Sequence, residues 1–313
     1  MDQLLRYNDF NSFMRRTFGM KMQKISVDTG FSCPNRDGTI SKGGCTFCSN
    51  TAFTPSYCDP SLTVAQQLEK GIGFFRHKYS DCGYLAYFQS NTNTYAPFDR
   101  LVKVYDQALD NKLIKGLVIS TRPDCMPDYL LDYLSGLSER TFVLVEYGVE
   151  STNDTTLRRI NRGHTFEQAV EAIESTAARN VMVGAHMIVG LPGESYRDVL
   201  RQAETMSLLP LTTIKIHQLQ VIRKTPLEWD FINNNDDFLH LDADQYISLL
   251  ADYIERLNPA FVIDRFVTQS PKGMVLWPNW GLKSFRYVEM LCSELQRRGT
   301  RQGSFFKISS KGL

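Results

Sequence analysis

FVLVEYGVESTNDTTLRRINRGHTFEQAVEAIESTAARNVMVGAHMIV, residues 142–189, holds the repeating unit of the fold. It opens on an apolar run (Phe142–Tyr147), passes through a segment with helical spacing (Phe166–Arg179) and closes on a second apolar run (Val181–Val189). Thr165 ahead of Phe166, Glu167 and Gln168 is a helix-start signal. Two short apolar strands joined through a helix lie parallel in a sheet that helices cover. The alternation extends both ways. Strand-like runs occur at Lys24–Asp28, Tyr84–Phe88, Gly116–Ser120 and Thr213–Leu219, and helical spacing at Val64–Tyr79, Phe98–Asn111, Pro127–Leu137 and Tyr196–Leu208. Six βα units are too few for a closed eight-stranded barrel. The expectation is an α/β fold: a partial, three-quarter βα barrel of about six parallel strands with helices outside. Its active site belongs at the carboxyl ends of the strands.

Asn233–Asp237 (NNNDD) breaks the pattern. It divides a core barrel with an N-terminal helix, residues 1–235, from a C-terminal α/β extension packed on it, residues 236–313. The extension reads as a helix (Ala243–Leu257), a strand (Phe261–Phe266) and a last helix near Ser284–Arg298.

With 42% hydrophobic and 22% charged residues the composition is that of a soluble globular protein. No apolar run approaches the roughly 20 residues of a membrane span, and the N-terminus has no secretory pattern. The expectation is a cytoplasmic protein with no membrane partner. Net charge is +1, yet residues 271–313 carry eight Lys and Arg against two acids. The stretch Arg297–Lys307 mixes cations with Phe305 and Phe306 and holds no acid, a composition suited to phosphates and exposed bases. It equally suits a tail packed on the barrel.

Seven cysteines, an odd number, argue against a disulfide framework. Three fall within sixteen residues, Cys33-Pro-Asn-Arg-Asp-Gly-Thr-Ile-Ser-Lys-Gly-Gly-Cys45-Thr-Phe-Cys48, a C-x11-C-x2-C spacing. The x2 spacing turns Cys45 and Cys48 to one side, and Gly43 and Gly44 free the backbone for that turn. Three thiolates suit zinc, with Cys58 as a fourth ligand, or a 4Fe–4S cluster with one iron left open for a small molecule. The segment follows the first strand, on the catalytic side of the barrel.

The C-x-φ-C ending, with aromatic Phe47 as φ, resembles the radical S-adenosylmethionine (SAM) signature, whose common form is C-x3-C-x2-C. The long first gap resembles the Elongator catalytic subunit and a related bacterial subfamily. That resemblance includes CPNRDG at residues 33–38, YFQSNTNTYAP at 87–97 and STRPDC at 120–125. It implies a 4Fe–4S cluster on Cys33, Cys45 and Cys48, SAM bound at the open iron, and reductive cleavage to a 5′-deoxyadenosyl radical. It further implies an electron donor such as flavodoxin or ferredoxin. Gly148-Val149-Glu150-Ser151 followed by Asn161-Arg162 resembles a pairing in oxygen-independent coproporphyrinogen oxidase. By that likeness Glu150 contacts the SAM ribose and Arg162 its carboxylate. The run from His186 to Glu194 resembles the family's fifth-strand motif, which makes His186 and Gly190 cofactor-binding candidates. That family carries an acid where this chain has His186. Gln89, Asn91 and Thr92 stand where relatives have a Gly-rich turn, and Arg122 in Thr121-Arg122-Pro123 resembles the Elongator version of the site.

The implied substrate is a tRNA wobble-uridine side chain, with the basic tail as the RNA contact. Two alternatives stay open here: a radical enzyme acting on a small molecule or peptide, and a zinc- or cluster-bearing protein without turnover.

Overall fold

The computed structural model describes residues 5–49, 54–76, 82–268, 270–271 and 273–307. Each apolar run forms a strand. The core sheet takes β1 (Lys21–Val27), β2 (Cys82–Phe88), β3 (Ile114–Thr121), β4 (Phe142–Glu150), β5 (Met182–Val189), β6 (Thr213–Gln218) and β8 (Val262–Arg265). The order is β1-β2-β3-β4-β5-β6-β8, parallel at every step. The sequence reading counts six strands, and the seventh is the strand expected in the extension. It joins the barrel sheet by pairing with β6, because Val262 and Ile263 need the same covered surface as their neighbours. A two-stranded ribbon, β7 (Val221–Ile222) with β9 (Val275–Trp277), stands apart from this sheet.

Helices cover the outside: α2 (Val64–Arg76), α3 (Phe98–Leu109), α4 (Asp128–Ser138), α6 (Phe166–Ala178), α7 (Tyr196–Met206) and α9 (Ala243–Arg256). Residues 77–79, read as the end of the helix from Val64, lie outside the described ones. Local chemistry sets the starts. Thr165 and Gln168, Ser195 and Asp198, and Asp242 and Gln245 each form a reciprocal capping box. Two helices not read from the sequence are short: α5 (Asp154–Arg159), and α8 (Pro226–Asn233) behind the ribbon. The last helix, α10 (Ser284–Arg298), ends on left-handed Gly299. Among the described residues, no helix is long and apolar enough to cross a membrane.

The barrel interior has three levels. At the amino-terminal end α1 (Phe10–Phe18) plugs it, with Phe10 and Met14 packed among Met22, Leu85, Val118, Phe142, Leu144 and Val262. Above this plug every strand of the sheet supplies one polar side chain: Lys24, Tyr87, Ser120, Glu146, His186, Lys215 and Asp264. Glu146 accepts from Lys24 (3.0 Å), Lys215 (2.5 Å), Ser120 (3.0 Å) and lies 3.0 Å from His186 Nε2. Asp264 takes Lys24 at 2.5 Å and Lys215 at 3.4 Å, so ion pairs join the two edge strands, β1 and β8. Tyr87 Oη accepts from Lys215 at 2.9 Å and from Ser120 at 3.2 Å. The third level is the cavity at the carboxyl ends of the strands.

The basic tail packs at the opposite end. Gln302 donates to the carbonyls of Asn258 and Phe261, just ahead of β8, and Phe305 N–H donates to Glu255 O. Arg298 is held by Glu294, Asp252 and Glu255, and Arg297 by Glu294. Phe305 and Arg301 stay exposed.

Candidate active site

A cavity of about 360 Å³ occupies the carboxyl ends of the strands, at the small end of the range for small-molecule sites. Cys33, Cys45 and Cys48 line it, together with Phe47, Gln89, Asn91, Thr92, Arg122, Glu150, Arg162 and His186. The structure thus gathers residues drawn from 33 to 186 around one space. Gly190 is not among the lining residues. It is a left-handed turn glycine (φ +89°) beyond β5.

The cysteine segment is built as a tight loop. Gly43 and Gly44 take φ of +86° and +84°, and a Cβ on Gly44 would meet the Arg36 side chain at 2.9 Å. The turn after α5 braces this loop. Asn35 Nδ2 donates to Asn161 O (2.5 Å), Asn161 Nδ2 to Gly44 O (2.8 Å) and Thr46 N to Ile160 O (2.9 Å). Two donors approach the Cys45 sulfur: Asn35 Nδ2 at 3.5 Å and Arg162 Nη1 at 3.6 Å. Burial and Cys45 push the Cys48 thiol up, against the pull of Arg36.

Such a donor set suits thiolates that share negative charge with a cluster. Among the described residues no group of three His, Cys, Asp or Glu is placed to hold one metal ion. The cysteines line a common space without gathering on a point. Cys58 does not line the cavity. Its Sγ–H donates to Ser26 O at 3.1 Å, and burial raises its thiol to about 12. The four-cysteine zinc site expected as an alternative therefore lacks its fourth ligand.

Strained backbone marks two strand ends. Glu150 ends β4 with φ +71°, and Asn91 follows β2 with φ +59°. The left-handed region is tolerable for Asn and unfavourable for Glu. At Glu150 the β4–β5 register also shifts, re-aiming its side chain into the cavity. A Cβ on Gly148 would sit 2.6 Å from both Arg162 Nη2 and Glu150 Oε1, so only glycine leaves room for that pair. Arg162 donates to Gly148 O at 2.6 Å and lies 3.8 Å from Glu150. Burial pushes the Glu150 carboxyl up, and Arg162 and Arg122 draw it back. Buried Thr92 has an Oγ1 with no hydrogen-bond partner, beside the cavity. An orphaned hydroxyl there is a ready contact for a bound polar group.

Arg122, a cofactor-binding candidate from the sequence, lines the cavity and is already engaged by its neighbours. Its guanidinium grips Asp124 with two bonds of 2.8 Å and donates to Arg162 O at 2.8 Å, so it positions the Arg162 turn. The sequence reading missed Asn35, the second donor to Cys45. It also missed the wall formed by His217, Gln218, Gln220, Arg265 and Thr268. The alternation of Lys215 and His217 within β6 is the sole local signal for that wall.

Comparison with known proteins agrees with this geometry. Residues 33–206 match the model of the radical SAM superfamily, and residues 211–297 that of the Radical_SAM C-terminal domain. The Bacillus subtilis protein YtqA is 34% identical over 305 residues, 96% of this chain and 93% of that one. Elongator complex protein 3 of Schizosaccharomyces pombe is 30% identical over 209 residues, 65% of this chain and 36% of its own. The structure of Elp3 from Methanocaldococcus infernus superposes with a TM-score of 0.66 at 15% identity, over 90% of this chain and 64% of that one. The three-cysteine loop, the partial barrel and the matched models together place this chain in the radical SAM superfamily, whose cofactors are a 4Fe–4S cluster and SAM.

Proposed function

We propose that this radical SAM enzyme modifies a nucleoside side chain in tRNA, at the wobble uridine. The cofactors fit the residues present: thiols with N–H donors aimed at one sulfur, an orphaned Thr92 hydroxyl and a carboxylate held on strained backbone. Cys33, Cys45 and Cys48 would hold the cluster, and Glu150, Arg162, Thr92, Gln89, Asn91, Phe47 and His186 would surround SAM. When bound and reduced, by a flavodoxin- or ferredoxin-type donor, the pair supplies a 5′-deoxyadenosyl radical. This chain's part is orientation and exclusion of water. Glu150 can accept from ribose hydroxyls, Arg162 steadies Cys45 and offers its fork to a carboxylate, and the plug of α1 closes the barrel's far end.

Arg162→Ala is expected to weaken SAM binding by about 1.5–3 kcal/mol, the scale of hydrogen bonds to charged groups. Equilibrium binding to the reconstituted protein measures it, and unchanged affinity would remove Arg162 from the cofactor site.

One observation carries the RNA reading. Trp229 on α8 is 68% exposed, and α8 is tied to the cysteine loop by the bond from Leu227 N to Thr46 O at 3.0 Å. Arg223 and Lys224, both exposed, precede it. An open aromatic face beside cations, next to the cavity, is a place for a base to stack while phosphates are neutralised. The likeness to Elongator complex protein 3 supports the same reading. The tail, packed at the other end of the barrel, is a less suitable contact than this rim.

Trp229→Ala is expected to weaken tRNA binding by about 1–3 kcal/mol with an unchanged salt slope. Arg223→Gln with Lys224→Gln should flatten that slope. Nucleoside analysis of tRNA from a strain lacking the gene, grown anaerobically, tests the reading directly. A modified uridine should be missing and its precursor should accumulate. An unaltered nucleoside profile would turn the search toward small molecules and peptides.

A further inference from the structure

Each of the other cations in the barrel interior and along the cavity has a counter-charge or an acceptor. Lys24 and Lys215 share Glu146 and Asp264, Arg122 holds Asp124, Arg162 faces Glu150 and Cys45, and Arg36 donates to the Cys48 carbonyl. Arg265 is the exception. It lines the cavity from the end of β8, and among the described residues it has no ion-pair or hydrogen-bond partner. Asp264, Tyr87 and Glu146 are the groups whose fields reach it. Both acids are already committed to lysines. Two imidazoles stand nearby. His186, pushed down to about 4 by burial and Lys215, and His217, held well below its ordinary value by burial and His186, are both neutral near pH 7. The interior therefore sets Lys24, Lys215 and Arg265 against Glu146 and Asp264, one positive charge in excess.

An uncompensated charge inside a protein is costly, and an oppositely charged ligand removes the cost. The wall around Arg265 is braced. Gln218 bonds the Thr268 N–H and carbonyl at 2.8 Å each, Gln220 reaches the same carbonyl at 3.0 Å, and His217 Nδ1 lies 2.6 Å from Thr268 Oγ1. The chain leaving β8 is thus stitched to the end of β6. A guanidinium on such a support presents a planar fork suited to two oxygens of one anion. The residues that would serve the cluster and SAM all come from β1 to β5 and the loops after them, whereas this wall comes from β6 and β8.

We propose that Arg265 receives an anionic oxygen group of the substrate, a carboxylate or a phosphate, and so decides which substrates enter the barrel. The site itself stands on the unpaired Arg265 and its braced wall, while a tRNA nucleotide as its bearer rests on the function proposed above. A carboxylate would belong to the side chain of a modified base, and a phosphate to the RNA backbone.

The test uses cluster-reconstituted protein saturated with SAM, so that the cofactor's own sites are filled, with acetate and methyl phosphate as probes. Titration followed by ligand NMR should show saturable binding of one probe, weakened roughly tenfold or more by Arg265→Gln. Binding by Arg265→Lys should fall between the two. Iron content and SAM affinity should match the parent in both variants. Preference for acetate assigns a carboxylate, and preference for methyl phosphate the backbone. If neither probe binds the parent more tightly than Arg265→Gln, the proposal is overturned. A strain carrying Arg265→Gln should accumulate the same tRNA precursor as the deletion strain. If the deletion strain accumulates none while the probe result holds, the tRNA reading fails and the anion site stands.

Discussion

Replacing Cys33, Cys45 or Cys48 by alanine is expected to reduce iron from about four atoms per chain, the content of a 4Fe–4S cluster, to almost none. On the proposed function each cysteine would supply one of three protein thiolates, and the loop that carries them is fixed by its own glycines and by Asn161. Neither Cys58 nor Cys292 is poised to replace one. Cys58 is bonded to Ser26 O, and Cys292 is buried on α10 far along the chain. Cys58→Ala and Cys292→Ala should therefore reconstitute like the parent. Iron and sulfide assays after anaerobic reconstitution, with the visible absorbance that bleaches on reduction, give the answer. A triple variant that still takes up about four irons would show that the cluster sits elsewhere.

Glu146→Leu should cost about 3–5 kcal/mol of stability, the range for breaking a buried ion pair from one side. Lys24 would keep Asp264, but Lys215 and His186 would lose their shortest contacts in a site where both lysines then compete for one acid. Adding Lys215→Met should recover part of the loss, which a simple cavity effect would not allow. Urea midpoints of the two variants decide this. The pH dependence follows from the same residues. Lys215 and Lys24, working against burial, hold Glu146 well below 4.5, and Lys24 and Lys215 hold Asp264 at about 2. Carboxyls depressed by folding stabilise above their unfolded values, and that contribution is lost as pH falls from about 4 toward 2. His186 is depressed from 6.5 to about 4, so its neutral form adds stability that is present above 6.5 and fades between 6.5 and 4. Stability should fall as pH drops below 6.5, where His186 shares the effect with depressed His164 and His217, and fall further below 4, and His186→Gln should reduce the upper slope.

Elements with a local signature were legible. Apolar runs between amphipathic segments gave the strands and their covering helices, and Cys33, Cys45, Cys48 and their glycines marked a tight loop that lines the cavity. The motif at Gly148–Ser151 led to Glu150 and Arg162, which the structure places together. What stayed hidden is distributed. The polar level of the barrel takes one residue from each of seven strands, so Glu146 appears in sequence only as an acid inside an apolar run, and Lys215 only as a lysine in TIKIHQL. The seventh strand was visible as Phe261–Phe266, but its partner β6 lies beyond α8 and α9, and no periodicity reports that distance. Within the tail, Arg297 and Arg298 are held by Asp252, Glu255 and Glu294, acids that precede the stretch Arg297–Lys307 and so do not show in its composition.

The plug formed by Phe10 and Met14 on α1 has a consequence for the route of entry. A vessel stoppered at its base is filled and emptied from the top. Cofactor and substrate must arrive through the carboxyl-terminal face, and the spent fragments must leave by it.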